Sequence, residues 1–121
     1  MTVLVDTSVW VDHLRTPDPK LGAMMMAAQV VIHPFVLGEL TIGNLRDRSR
    51  AVAALAALPS TPVVDSATWL AFVDEHALAG SGIGFVDAHL LVSVAIIDIP
   101  LWTRDRRLAE RATTLGRLWV E

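Results

Sequence analysis

The run Thr2-Val3-Leu4-Val5-Asp6-Thr7-Ser8 decides how this chain folds. Residues Thr2 to Val5 are apolar and β-branched, which predicts a short strand buried on both faces. The strand ends abruptly on a carboxylate and two hydroxyls. In open parallel sheets, ligands bind in the crevice outside the carboxyl ends of the strands, so Asp6 stands where chemistry is expected. The same residue types favour any helix start, and a cap on a helix beginning near Val9 is the competing reading. What the other strand ends carry decides between the two.

Outward from this strand, short apolar runs alternate with helical stretches. Val9 to Leu14 reads as a helix, closed by Thr16-Pro17-Asp18-Pro19, and Leu21 to Gln29 as a second. Val30-Val31-Ile32 predicts another strand, stopped by His33-Pro34, with Pro34 suited to the first turn of a helix over Phe35 to Leu45. Ser49 to Leu58 is Ala-rich and helical. Val63-Val64 predicts a brief strand ending on Asp65-Ser66, followed by a helix over Ala67 to Leu78. Gly80-Ser81-Gly82-Ile83-Gly84 reads as a loop. Phe85 to Ile97 is the most apolar helix, Leu101-Trp102 a strand, Asp105 to Leu115 a helix and Leu118-Trp119-Val120 a last strand. This alternation predicts an α/β fold of three layers, α/β/α, around a short-stranded parallel sheet of about five strands.

At 121 residues the chain is the size of one domain, 1–121, without repeat, linker or low-complexity segment. Hydrophobic residues make up 53% and charged ones 19%, which excludes disorder and leaves apolar surface for a partner or a second copy. There is no cysteine, so disulfides, thiolate metal sites and thiol nucleophiles are excluded. The chain opens on a strand in place of a charged stretch and an apolar one, and the longest apolar run, Ile83 to Ile99, is interrupted by Asp87, His89 and Asp98. A cytoplasmic location is the expectation. The net charge of −3 supplies no basic face of the kind nucleic-acid binders carry, so local patterning must carry that question.

Four acids stand out by placement. Asp6 follows the first strand and Asp105 follows Leu101-Trp102; Glu39 lies in the helix after the second strand, and Asp87 near the start of the most apolar helix. All four are expected near one edge. Asp87, set among Phe85, Val86, Ala88, Leu90, Leu91 and Val92, is the most telling, because an ionised carboxylate in apolar surroundings is costly unless paired or bound to a cation. Crowded carboxylates raise one another's pKa, and a divalent cation removes that conflict. Oxygen ligands suit a hard ion, Mg²⁺ or Mn²⁺, and such ions serve phosphodiester cleavage. Competing structural roles exist for each residue: Asp105 as a helix cap, Glu39 as partner of Arg46 or Arg48. Asp65 also sits at a strand end, and spacing alone does not exclude it.

The segments VDTSVW at 5–10, ELTIG at 39–43, FVDAHLL at 85–91 and LWTRDRRL at 101–108 resemble, in order, the four signature blocks of PIN-domain proteins, and more narrowly the VapC-type toxins of bacterial toxin–antitoxin pairs. The resemblance runs from the first strand to the last helix. It implies a compact parallel-sheet endoribonuclease dependent on Mg²⁺ or Mn²⁺, neutralised by a VapB-like antitoxin and homodimeric. It places metal-site acids at Asp6, Glu39, Asp87 and Asp105, with Ser8 and Thr103 as hydroxyl support. Asp65 has no counterpart in that pattern.

Arginine supplies nine of the ten basic residues. Arg104 and Arg106 flank Asp105 and are candidate phosphate contacts, whereas Arg46, Arg48 and Arg50 read as a solvated helix face. His13, His33, His76 and His89 lack zinc-site spacing and read as structural. Trp10, Trp69, Trp102 and Trp119 have apolar neighbours and are expected in the core. Met24-Met25-Met26 suits adaptable packing, in the core or at a partner surface. Two rival functions remain. One is a phosphoacceptor domain resembling response-regulator receivers, with Asp65 phosphorylated; the lysine that family needs after its last strand is absent, Lys20 being the only one. The other is a binding module that keeps the acidic pocket without turnover.

Overall fold

In the computed structural model, which describes residues 1–121, Val3–Val5 forms the central strand β1 with all three side chains buried. Two parallel strands flank it. β2 (Val30–Val31) pairs Val30 with Val3 and Val31 with Leu4, and β3 (Leu101–Trp102) pairs Leu101 with Leu4 and Trp102 with Val5. The order β2-β1-β3 means the chain leaves β1 first to one side and then to the other. The sheet therefore has its topological switch point at β1, and all its strand exits lie along one edge.

Seven helices surround the sheet: α1 (Thr7–Arg15), α2 (Pro19–Met26), α3 (Pro34–Ile42), α4 (Arg48–Ala56), α5 (Ser66–Glu75), α6 (Phe85–Ile97) and α7 (Arg106–Thr114). Helix α6 and strand β3 have the bounds their sequences predict. Helix α1 starts two residues earlier than predicted because Asp6 caps it. Helix α2 likewise starts at Pro19, where the Asp18 carboxylate accepts from the N–H groups of Lys20 and Leu21 and the missing proline N–H costs nothing.

The expected sheet of about five strands is a sheet of three, extended at each edge by a single parallel bridge. Val63-Val64 makes no pairing. On that side Ile32 donates to the Pro59 carbonyl and accepts from Thr61, bridging to Ser60, and Pro62 has no N–H with which to continue a ladder. At the other edge only Leu118 bridges, to Leu101, because β3 is two residues long before the chain turns toward α7.

The core gathers the three strands, Trp10 and Trp102, and the middle of α6, buried from Ala88 through Val94. Trp69 and Trp119 pack against it half-buried, so all four tryptophans serve packing. Met24 and Met25 pack there too, whereas Met26 is exposed. His33 is fully buried and its Nδ1 accepts from the Phe35 N–H at 2.9 Å, capping α3. Burial, reinforced by the nearby His89, lowers its pKa to about 4, so it is a neutral structural imidazole. His13 similarly accepts from the Asp18 N–H at 2.9 Å. The loop before α6 turns on Gly80 and Gly82, at φ +71 and +86, angles that favour glycine.

Candidate active site

The exits of β1 and β3 are stitched together by hydroxyls. Asp6, directly after β1, is 4% exposed, and its Oδ2 accepts from the Ser8 hydroxyl at 2.7 Å, the Thr103 hydroxyl at 2.8 Å and the Ser8 N–H at 3.4 Å. Thr103 Oγ1 accepts in turn from the Asp105 N–H at 3.0 Å, and Ser8 Oγ from the Arg104 N–H at 2.9 Å. A buried carboxylate is tolerated only when its lone pairs are satisfied, and these donors satisfy one oxygen. The other, Oδ1, accepts nothing from the protein. Both expected hydroxyl supports thus hold Asp6, which caps α1 as well; the structural and functional readings of Asp6 are compatible.

Thr103→Val keeps the shape and removes all three contacts of the hydroxyl, to Asp6, to the Asp105 N–H and, at 3.4 Å, to Ser8 Oγ. The expected result is a loss of divalent-ion affinity of about 10- to 100-fold, the usual effect of removing a group that orients a ligand. Calorimetric titration with Mn²⁺ checks it.

Asp87 lies in the first turn of α6, half-buried. A helix N-terminus favours a carboxylate there. The opposing influences win: burial first, then the charges of Asp6, Asp105 and Glu39, raise its pKa to about 6. The charges of Asp6, Asp105 and Glu39, from the ends of β1 and β3 and from helix α3, thus all act on Asp87 in α6. Asp105 is exposed and also caps α7, accepting from the Leu108 N–H at 3.0 Å. Asp65 belongs elsewhere: it caps α5 through the Thr68 N–H at 2.8 Å, a bond that lowers its pKa.

Glu39 is exposed on α3 and receives the Thr7 hydroxyl at 2.8 Å. This partner is not legible in sequence, since nothing local links residues so far apart. The pairing of Glu39 with Arg46 or Arg48, the competing reading, does not form. A groove of about 310 Å³ opens beside this pair, lined by Val11, Leu14, Arg15, Leu45 and Arg46. Arg50 pairs with Asp47 at 3.8 Å and Arg106 with Glu110 at 3.5 Å, both at the surface, whereas Arg104 turns toward Asp12, Asp18 and Glu121. Arg104, expected as a phosphate contact, is thus engaged by three carboxylates of the protein, whereas Arg106 stays exposed in a loose surface pair.

No three of the carboxylates stand close enough to surround a metal ion unaided. Mutual repulsion keeps such groups apart, and Mg²⁺ retains several waters while binding through one or two carboxylates. The free Oδ1 of Asp6, the raised Asp87 and an all-oxygen donor set fit a hard divalent cation on those terms.

The PIN-domain family model matches residues 3–113. Over 115 residues, covering 94% of this chain and 93% of the relatives, the sequence is 43% identical to ribonuclease VapC32 from two strains of Mycobacterium tuberculosis. With the four signature blocks folded around one acidic edge, the chain belongs to the PIN-domain family, in its VapC ribonuclease branch.

Proposed function

We propose that the protein is an Mg²⁺- or Mn²⁺-dependent endoribonuclease, the toxin of a type II toxin–antitoxin pair, hydrolysing RNA phosphodiester bonds. The observation that carries this reading is the match to a VapC ribonuclease over nearly the whole chain, with Asp6 buried at the exit of β1 and Asp87 raised in pKa by burial first and then by the charges of Asp6, Asp105 and Glu39. An acid group so placed resists its own ionisation and is relieved by a divalent cation. Asp6 and Asp87 would hold the ion, with Glu39 and Asp105 as further ligands, directly or through water. A bound ion supplies charge stabilisation for the phosphate oxygens and lowers the pKa of water. Ser8 and Thr103 hold Asp6 in place. Glu39, which accepts from the Thr7 hydroxyl, would position the attacking water and take its proton as the leaving oxygen departs in line.

The groove beside Glu39 is lined by Val11, Leu14, Leu40 and Leu45 together with Arg15 and Arg46. A VapB-like antitoxin segment seated there would close the site. Val63, Leu70 and Ile96 are 47%, 54% and 56% exposed at or near α5 and α6, and a second copy covering them would make a homodimer. Sedimentation velocity checks this, a species of one chain mass at every concentration counting against it. No helix is long and apolar enough to cross a membrane.

Purified protein is to be incubated with mixed cellular RNA, with Mg²⁺ or Mn²⁺ and with excess chelator. Discrete fragments that disappear on chelation are the expected result; intact RNA under every condition refutes the reading. Asp65→Ala serves as the control for a phosphoacceptor role. It should lose a little stability with its helix cap and cleave RNA at the unaltered rate.

A further inference from the structure

Arg104 sits in the chain between Thr103 and Asp105, and its N–H is bonded to Ser8 Oγ, so its backbone lies on the rim of the acid site. Its side chain points elsewhere. Nη1 meets Asp12 at 2.8 Å, Nη2 meets Asp18 at 2.9 Å and Glu121 at 2.8 Å, and Nε reaches the second oxygen of Glu121 at 3.3 Å. Three carboxylates from α1, the α1–α2 turn and the C-terminal segment thus converge on one guanidinium. One would suffice to neutralise it.

A guanidinium is the best carboxylate partner among the side chains, and its charge is permanent. With its backbone bonded to Ser8, which itself holds Asp6, and its neighbours in the chain being Thr103 and Asp105, Arg104 carries a permanent positive charge next to the acid site. Two acidic groups compete for it. We propose that Asp12, Asp18 and Glu121 are positioning residues that hold the Arg104 guanidinium away from the acid site and so leave that site's negative charge available to a divalent cation. The proposal rests on the reading of the four acids as a cation site.

The test uses Asp12→Asn/Glu121→Gln, which removes the two more exposed partners. Asp18 is left intact because it caps α2. Mn²⁺ affinity is measured by calorimetry at pH 7.5 and low salt, with a thermal melt to follow folding. The double variant should bind Mn²⁺ about tenfold more weakly, a modest effect for one positive charge lodged among carboxylates at an effective dielectric near 20. Adding Arg104→Gln should then restore the affinity of the unaltered protein, because the competing cation is gone. A purely architectural clamp predicts the reverse, with the triple variant no better than the double.

Unchanged affinity in the double variant, or a loss that Arg104→Gln does not restore, overturns the proposal. Unaltered protein that neither binds Mn²⁺ nor cleaves RNA overturns the cation-site reading itself, and the clamp with it. The two failures are therefore distinguishable.

Discussion

Asp6→Asn is expected to reduce metal-dependent RNA cleavage by about 10³-fold or more while the protein remains folded, the loss expected for the carboxylate proposed to hold the ion. The amide oxygen can still accept from the Ser8 and Thr103 hydroxyls that bind Oδ2, so the cap on α1 and the stitch between β1 and β3 persist. What disappears is the negative charge behind Oδ1. Removing it also relieves Asp87 of one of the three carboxylates that raise its pKa. The thermal midpoint without metal should therefore hold steady or rise as cleavage is lost. Melting curves and single-turnover cleavage of one RNA, run on the same preparation, check both. A variant that cleaves at the unaltered rate removes Asp6 from the site.

Asp87→Asn should stabilise the metal-free protein at neutral pH and leave it unchanged in acid. The folded pKa is about 6 against an ordinary value of 3.8, so the folded state holds the proton more tightly than the unfolded chain does. The ionised group consequently costs nothing below about pH 4. Its cost grows as pH rises through the folded pKa, and is full above it. The difference is worth about 1–3 kcal/mol after allowance for partial solvent screening. Denaturant unfolding of both proteins in chelator at pH 4 and pH 7.5 should give coincident curves in acid and a more stable variant at neutrality. Equal gains at both pH values would mean that the carboxylate is not strained in the fold. Because a cation relieves the same conflict, added Mg²⁺ or Mn²⁺ should stabilise the unaltered protein more than the variant.

Elements whose determinants are local were legible in the sequence. The apolar run before Asp6, the uninterrupted helix from Phe85 to Ile97 and the two residues of β3 all fold as their patterns predict. Val63-Val64 failed as a strand because pairing depends on which backbone groups of β2 remain free, and Pro59 and Thr61 had already engaged Ile32. Arg104 read as a phosphate contact because it flanks Asp105; its partners lie far off in the chain and come together only when α1 and the C-terminal segment close on β3. Asp65 and Asp6 look alike as strand-end caps. Asp65 has no counterpart in the family's signature blocks, and in the fold its carboxylate caps α5 through the Thr68 N–H.

By itself the sequence determined the alternation of strand and helix, the four acids and the residues bearing the family's signature, because these follow from side-chain chemistry and short-range spacing. Only the tertiary structure decided which acids share a site. The order β2-β1-β3 brings the exits of β1 and β3 side by side, Thr103 across to Asp6, and Asp87 into the field of three other carboxylates. Electrostatic coupling of that kind depends on distance in space and on burial, which spacing along the chain does not encode.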